Sequence, residues 1–482
     1  MRVLVLAFFG LTLVPSTVSA SELWIGAARA DITPTGPIAI SGQFHLRIAK
    51  TAETPLIASV LVLESRDGDR PLDCAVFAAF DLVSIPLEVY DLVRKETQKR
   101  IPGLDVSKLI LGGTHTHTAP VLNDEWYVIP KDGVIQVEEY RKFLAARVAD
   151  AIAQAWNNRK PGSVTWGLSH AVVGYNRRAS YANGTAQMYG RTDVAEFRSL
   201  EGYEDHDIGT LFCWNKEGKL LAVAVNLSCT AQEVEGRTEI NADFWHPTRQ
   251  LLAKRFGPDV CVLGLCGAAG DQSPHLMYRK AADERMARLR GLDRMAEIAR
   301  RIDRAVEEAY EAVKDDRHAG IALVHKVETL RLPMRLVTEA EYADAKHEYD
   351  LVTAQLAKDP KLVDQLHGRQ AWFGNTVRRF ERQKSDPKPM YAAEIHVLRI
   401  GDAVLCTSPF ELFTDYGIRI KARSKAQQTF VVQLIGGGGY LPTEKAIAGG
   451  SYSAVVHSGR VGPEGGQQLV ERTVELINAM MK

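Results

Sequence analysis

Leu109-Ile110-Leu111-Gly112-Gly113-Thr114-His115-Thr116-His117-Thr118-Ala119-Pro120 passes from an apolar run straight into a cluster of reactive side chains. The run Leu109 to Leu111 reads as a buried strand reaching its end. In extended backbone, residues two apart point to the same side, so His115 and His117 are expected to share a face while Thr116 faces away. Two imidazoles at the mouth of a strand serve as two metal ligands, or as one ligand beside one acid/base group. The plainer alternative is a pair of loop histidines satisfied by backbone carbonyls.

Outward from that strand, apolar runs and helical patterns alternate. Ala58 to Leu63, Cys74 to Asp81, Val164 to Val173, Ile208 to Trp214, Leu220 to Leu227 and Val260 to Leu265 read as strands. Leu87 to Arg100, Val137 to Asn157 and Pro247 to Phe256 read as helices, and Met286 to Val313 as one long helical stretch. The alternation predicts an α/β fold, a layered mixed sheet core flanked by helices. Between about 337 and 387 polar helix formers dominate, which predicts a helical insertion, because strand-like segments resume at Tyr391 to Ile400 and Val404 to Thr407. The chain is therefore read as one catalytic-type domain over 21–482.

At 482 residues and 46% hydrophobic content the chain can bury a large core. Lysine plus arginine equals aspartate plus glutamate, at 59 each, which removes the electrostatic case for nucleic acid or an anionic membrane surface. A small molecule is the expected partner. Residues 1–20 combine Arg2, an apolar stretch from Val3 to Val14 and the small-residue pattern Val18-Ser19-Ala20. This is a cleavable secretory signal peptide, too short to span a membrane comfortably, and it predicts a secreted or periplasmic product with no integral membrane segment. The cysteines Cys74, Cys213, Cys229, Cys261, Cys266 and Cys406 lack CxxC spacing and read as small core residues.

Further loops after strand ends are rich in polar groups: Cys229-Thr230-Ala231-Gln232, Asn241 to Pro247, Gly267 to His275, Thr407 to Glu411, and Tyr440-Leu441-Pro442-Thr443 after the tetraglycine Gly436 to Gly439. Open α/β sheets bind ligands in such loops. Taken with Ala28-Arg29-Ala30-Asp31-Ile32-Thr33-Pro34, Gly174 to Arg178 and Val461-Gly462-Pro463-Glu464, their order along the chain resembles the neutral/alkaline (non-lysosomal) ceramidases, secreted zinc amidases. The resemblance covers nearly all of the chain after the leader. It implies zinc held by His115, Glu411 and Tyr440, with His117 as acid/base. It also implies Tyr452 and Arg177 at the substrate oxygen, and Ser273 in a hexapeptide once taken for a nucleophile motif. Ser273 has a simpler reading, as a turn residue before Pro274.

The sequence departs from that family in two places. The family has a zinc histidine where this chain has Thr230, and the nearest replacement is His246, which a helix capped by Asp243 would place in its first turn. His246 is therefore the expected fourth member of the metal set. The family usually appends an immunoglobulin-like domain, a sandwich of about 100 residues, whereas 21 residues follow Val461, so none is expected here. The reading is a zinc-dependent amidohydrolase acting on an N-acyl, (sphingo)lipid-like substrate. The alternatives are a zinc-dependent esterase or deacylase on another acylated metabolite, or a non-catalytic exported binding protein.

Overall fold

The computed structural model describes residues 21–482, so the leader expected at 1–20 lies outside the described residues. The largest sheet has eight strands, but it behaves as two halves, because Glu22–Asp31 meets Lys160–His170 over only Trp24↔Pro161 and Ile25↔Lys160. One half contains Glu22–Asp31, Ile57–Asp67, Arg70–Phe80 and Leu109–Gly113; the other contains Lys160–His170, Asp207–Asn215, Leu220–Leu227 and Cys261–Cys266. The halves face each other across one apolar layer, where the thiol of Cys261 lies against the carbonyls of Ala28 and Val60.

Alternation along Asp207–Asn215 accounts for this arrangement. Leu211 and Cys213 point into the layer between the halves, while Phe212 and Trp214 join a second core under the helix Arg294–Val313. A strand covered on both sides has no polar face, and every residue from Ile208 to Trp214 is buried. The helices Leu87–Arg100 and Val137–Asn158 cover the first half, and Trp245–Phe256 and Arg294–Val313 cover the second, giving helix, sheet, sheet, helix.

A four-stranded sheet, in the order Leu323–Pro333, Met390–Ile400, Ala403–Thr407 and Gln428–Val432, abuts this sandwich. Asn226 ties the two together, its side-chain amide donating to the carbonyls of Leu265 and Val431 at 3.0 Å each. Each sheet contains parallel neighbours: Arg70–Phe80 beside Leu109–Gly113, Leu220–Leu227 beside Cys261–Cys266, and Ala403–Thr407 beside Gln428–Val432. The loops leaving their carboxyl ends carry His115, Gln232, Gly270, Glu411 and Tyr440. Between 338 and 386 the chain forms a helical hairpin, Glu339–Lys358 and Val363–Ser385, opened by a capping box between Thr338 and Glu341.

The single helix expected over Met286 to Val313 is in fact two, Lys280–Leu289 and Arg294–Val313. Gly291 adopts φ 68°, and Asp293 accepts a hydrogen bond from the Ala296 N–H, so a left-handed stop is followed at once by a new N-cap. The cysteines are all unpaired, and all but Cys74 are fully buried. No helix among the described residues is long and apolar enough to cross a membrane.

Candidate active site

The strand carrying the histidines stops at Gly113, and the backbone there does not stay extended: His115 has φ 68°. Its N–H donates to the Leu82 carbonyl at 2.9 Å, while the hydroxyls of Thr116 and Thr118 both donate to the Asn241 carbonyl, at 2.9 and 2.8 Å. The two imidazoles still face one cavity with ring centres 4.8 Å apart, but a left-handed turn puts them there rather than strand alternation. Gly42 makes room for them, since a Cβ at that position would come within 2.4 Å of the His117 Cβ.

His115 Nδ1 lies 2.8 Å from the Val83 carbonyl, which can only accept, so that nitrogen carries the proton and Nε2 presents a lone pair. Nε2 faces Glu411 Oε2 at 3.6 Å, and that carboxylate oxygen is buried without a hydrogen-bond partner. Burial holds His115 well below the usual histidine range, helped by His117. Burial also raises Glu411, against the opposing charge of Arg177. Glu411 and Tyr440 are direct cross-strand partners in a two-residue parallel ladder, Glu411–Leu412 with Tyr440–Leu441. The tetraglycine lets the second of these strands close on the first, because a Cβ at Gly438 would strike the Phe410 ring at 2.4 Å.

Arg177 is fully buried behind these groups. One of its nitrogens donates to the Gly270 carbonyl at 3.0 Å and the Tyr440 hydroxyl at 3.1 Å, and the other to the Tyr189 hydroxyl at 3.1 Å and Gln232 Oε1 at 3.4 Å. Thr230 donates to the same Gln232 oxygen at 2.5 Å. Two donors on Oε1 fix the amide, turning its nitrogen toward His117 Nε2 at 2.9 Å. His117 Nδ1 then donates to Glu235 Oε2 at 3.1 Å. Burial works against the charge of Glu235, but the hydrogen bond and charge from His117, with His275 and Arg177, hold it below the usual carboxylate range.

His115, His117, Glu411, Tyr440 and Tyr452 therefore line one cavity of about 830 Å³, with Arg177 directly behind Tyr440. His246 is a different matter. It is the second residue of the helix Trp245–Phe256 and lies among Arg249 and Asp81, away from the cavity lining. Asp243 does not cap that helix. With φ 53° it turns its carboxylate back to accept from the N–H groups of Val234 and Phe244, so His246 stands in the first turn as expected, but without that cap and outside the cavity lining. Ser273 is also outside the cavity lining. It is fully buried in a two-residue ladder with Tyr175, and its hydroxyl accepts from the His275 N–H at 3.4 Å, which is the turn role.

The metal fit is incomplete. The His115 lone pair and the orphaned Glu411 oxygen, facing each other beside Tyr440, suit a divalent cation between them. Burial, then Glu411, pushes the Tyr440 phenol well above its ordinary range, so it acts as a neutral, weak donor. Among the described residues no group of three His, Cys, Asp or Glu side chains converges as a metal site. The hydroxyl of Thr230 is taken up by Gln232.

Sequence reasoning placed Gln232 in a polar loop without giving it a role, and missed Glu235 and Arg47. Buried Arg47 donates to the carbonyls of Glu235 (2.7 Å), Arg237 (2.6 Å), Ser41 (2.5 Å) and His117 (2.7 Å), fastening the backbone of His117 to that of its carboxylate partner. The contact spans 70 residues of sequence and carries no local signal.

No family model matches the chain, and no curated protein does. Solved structures do, two ceramidases among them. One, described as a ceramidase complexed with C2, superposes with a TM-score of 0.68 at 15% identity over 96% of this chain and 75% of its own. The other, neutral ceramidase from Pseudomonas aeruginosa, gives 0.67 at 16% identity over 95% of this chain and 74% of its own. At such identity the likeness is one of fold: the chain has the architecture of the neutral ceramidases.

Proposed function

We propose that this chain is an exported, zinc-dependent hydrolase of the amide bond in an N-acyl, lipid-like molecule. The observation that carries the proposal is the His115 lone pair facing an unpartnered, buried Glu411 oxygen at 3.6 Å, with His117 beside them in a cavity of about 830 Å³. His115, Glu411 and Tyr440 would hold the ion, which when bound supplies Lewis-acid polarisation and an activated water. Arg177 holds Tyr440 in place from behind the cavity wall, and Tyr452 presents a hydroxyl for the oxygen of the tetrahedral intermediate. His117 Nε2, once it parts from the Gln232 amide, takes a proton from the attacking water and passes it to the departing nitrogen as the C–N bond breaks, because that nitrogen is a very poor leaving group as an anion. Glu235 keeps the imidazole in one tautomer and stabilises its charged form. The ceramidase neighbours support an amide as the bond attacked.

The deciding experiment is hydrolysis of an N-acyl fluorogenic amide before and after chelation, with zinc added back. Loss and recovery of turnover are expected, and full activity in metal-free protein overturns the reading. One observation favours a second reading, an O-acyl bond. The Gln232 amide already occupies His117 Nε2, and an ester leaving group needs less proton donation. Matched O-acyl and N-acyl substrates separate the two.

A further inference from the structure

The wall of the cavity opposite the catalytic loops is the second helix of the hairpin, Val363–Ser385. Trp372, Asn375, Thr376, Arg379 and Arg382 all line the cavity, and their spacing of three and four residues places them along one helix face. At its inner end that face is aromatic. Trp372 lies 5.9 Å from Tyr452 and 5.6 Å from Phe44, and Tyr452 lies 5.5 Å from Tyr440. Ten residues further along, about 15 Å at the helical rise, the face ends in guanidinium groups.

Arg378, Arg379, Arg382 and Arg460 line the cavity, and lysine is absent from its lining among the described residues. The acidic groups there are Glu88, Glu125 and the catalytic Glu411. Glu125 is taken by Arg378, at 3.6 Å. Among the described residues Arg382 and Arg460 have no carboxylate within ion-pair distance. Arg379 is held only by the carbonyls of Val456, Gly459 and Arg335, at 2.8, 2.9 and 2.9 Å. Burial, reinforced by Arg460 and Arg335 and opposed by Glu341, which is itself paired with Arg335, lowers its pKa to about 10. A buried positive charge of this kind is stabilised by an anionic ligand.

We infer that the substrate is an elongated amide bearing an anionic group, a carboxylate or a phosphate or sulfate ester, remote from the bond that is cut. Its apolar span lies along Phe44, Trp372 and Tyr452, and its anion sits among Arg379, Arg382 and Arg460. The inference rests on the hydrolase reading for the bond broken, but not for the anion site. Arg382 and Arg460 are exposed to solvent, so a neutral ceramide would leave the Arg379 guanidinium as the cation without an anion.

The test uses the full chain after the leader and two probes of equal length, N-acetyl-12-aminododecanoate and N-dodecylacetamide, followed by turnover and by calorimetric binding. The carboxylate probe is expected to be favoured by about tenfold or more, with the preference shrinking in 0.5 M salt and in the double variant Arg382→Gln/Arg460→Gln. Hydrolysis of both probes with equal kcat/KM overturns the inference and leaves the hydrolase reading standing. Selective, variant-sensitive binding of the carboxylate probe without turnover sustains the inference and counts against the hydrolase. Binding that ignores the carboxylate, or a preference unmoved in the double variant, overturns it.

Discussion

Two pairs of neighbouring histidines sit in the interior of this molecule, and only one is placed to do chemistry. His115 and His117 have ring centres 4.8 Å apart, and His325 and His396 5.2 Å. The second pair spans two strands of one ladder, Leu323–Pro333 and Met390–Ile400. There His325 Nδ1 donates to the Cys74 carbonyl at 3.0 Å, and His396 Nδ1 lies 3.0 Å from His325 Nε2. His396 Nε2 lies 3.3 Å from Glu394, a carboxylate already paired with Arg94 at 2.6 Å. Neither histidine lines the cavity that His115 and His117 face. At the first pair a left-handed turn ends the strand and leaves one lone pair looking at an unpartnered carboxylate across open space. Both pairs are buried, so burial does not separate them; the difference is a facing acceptor left unsatisfied beside a space that a substrate can enter.

Substitution at each pair tests that contrast. The largest effect is expected at His117→Ala, which should lower kcat/KM on an N-acyl substrate by about 10³-fold with bound metal unchanged, measured by turnover beside metal analysis. A His325→Gln enzyme retaining less than a tenth of wild-type turnover would break the comparison. Next comes Thr230→His, which puts an imidazole where the Thr230 hydroxyl now meets Gln232. Zinc affinity by competition titration should rise by at least about tenfold, and an unchanged affinity would mean that the ion, if bound, sits elsewhere. Glu235→Gln keeps the shape but removes the charge that stabilises protonated His117, so kcat should fall about tenfold with KM unmoved. A rise in KM alone would assign Glu235 to substrate binding.

The smallest effect belongs to the buried pair. Burial, then His396, lowers His325 from 6.5 to about 3, so the unfolded chain takes up its proton first as pH falls. The stabilisation from the neutral, hydrogen-bonded form is complete above pH 6.5 and is lost progressively as pH drops toward 3. Denaturant titrations at pH 7 and pH 4 should show that His325→Gln flattens this loss by on the order of 1 kcal/mol. Equal slopes in the variant and the parent would remove His325 from the account.

The layered architecture was legible because strands covered on both faces leave continuous apolar runs, as in Ile208 to Trp214, and because reactive loops follow them. The resemblance led to Glu411, Tyr440, Tyr452 and Arg177, which spacing alone could not have joined across more than 200 residues. His246 failed for a local reason. Asp243 is four-way ambiguous as a cap, turn, ligand or ion-pair residue, and its φ of 53° selected the turn. Glu235 and Arg47 were invisible because their roles depend on long-range contacts, of Glu235 with the His117 ring and of Arg47 with backbone carbonyls, which leave no pattern. The hairpin 338–386 was readable as helix but not as a cavity wall, since helical spacing fixes which residues share a face and not what that face meets.

Glu411 and Tyr440 reach the cavity from a ladder only two residues long, locked above by Phe410 against Gly438. A slip by a single position there would rotate both side chains out of the pocket together, because neighbouring positions on a strand face opposite ways. Injury to this spot should therefore act as a breaker rather than a dimmer. Variants of Gly438 or Phe410 are expected to divide a population into fully competent and wholly inert molecules, with little in between.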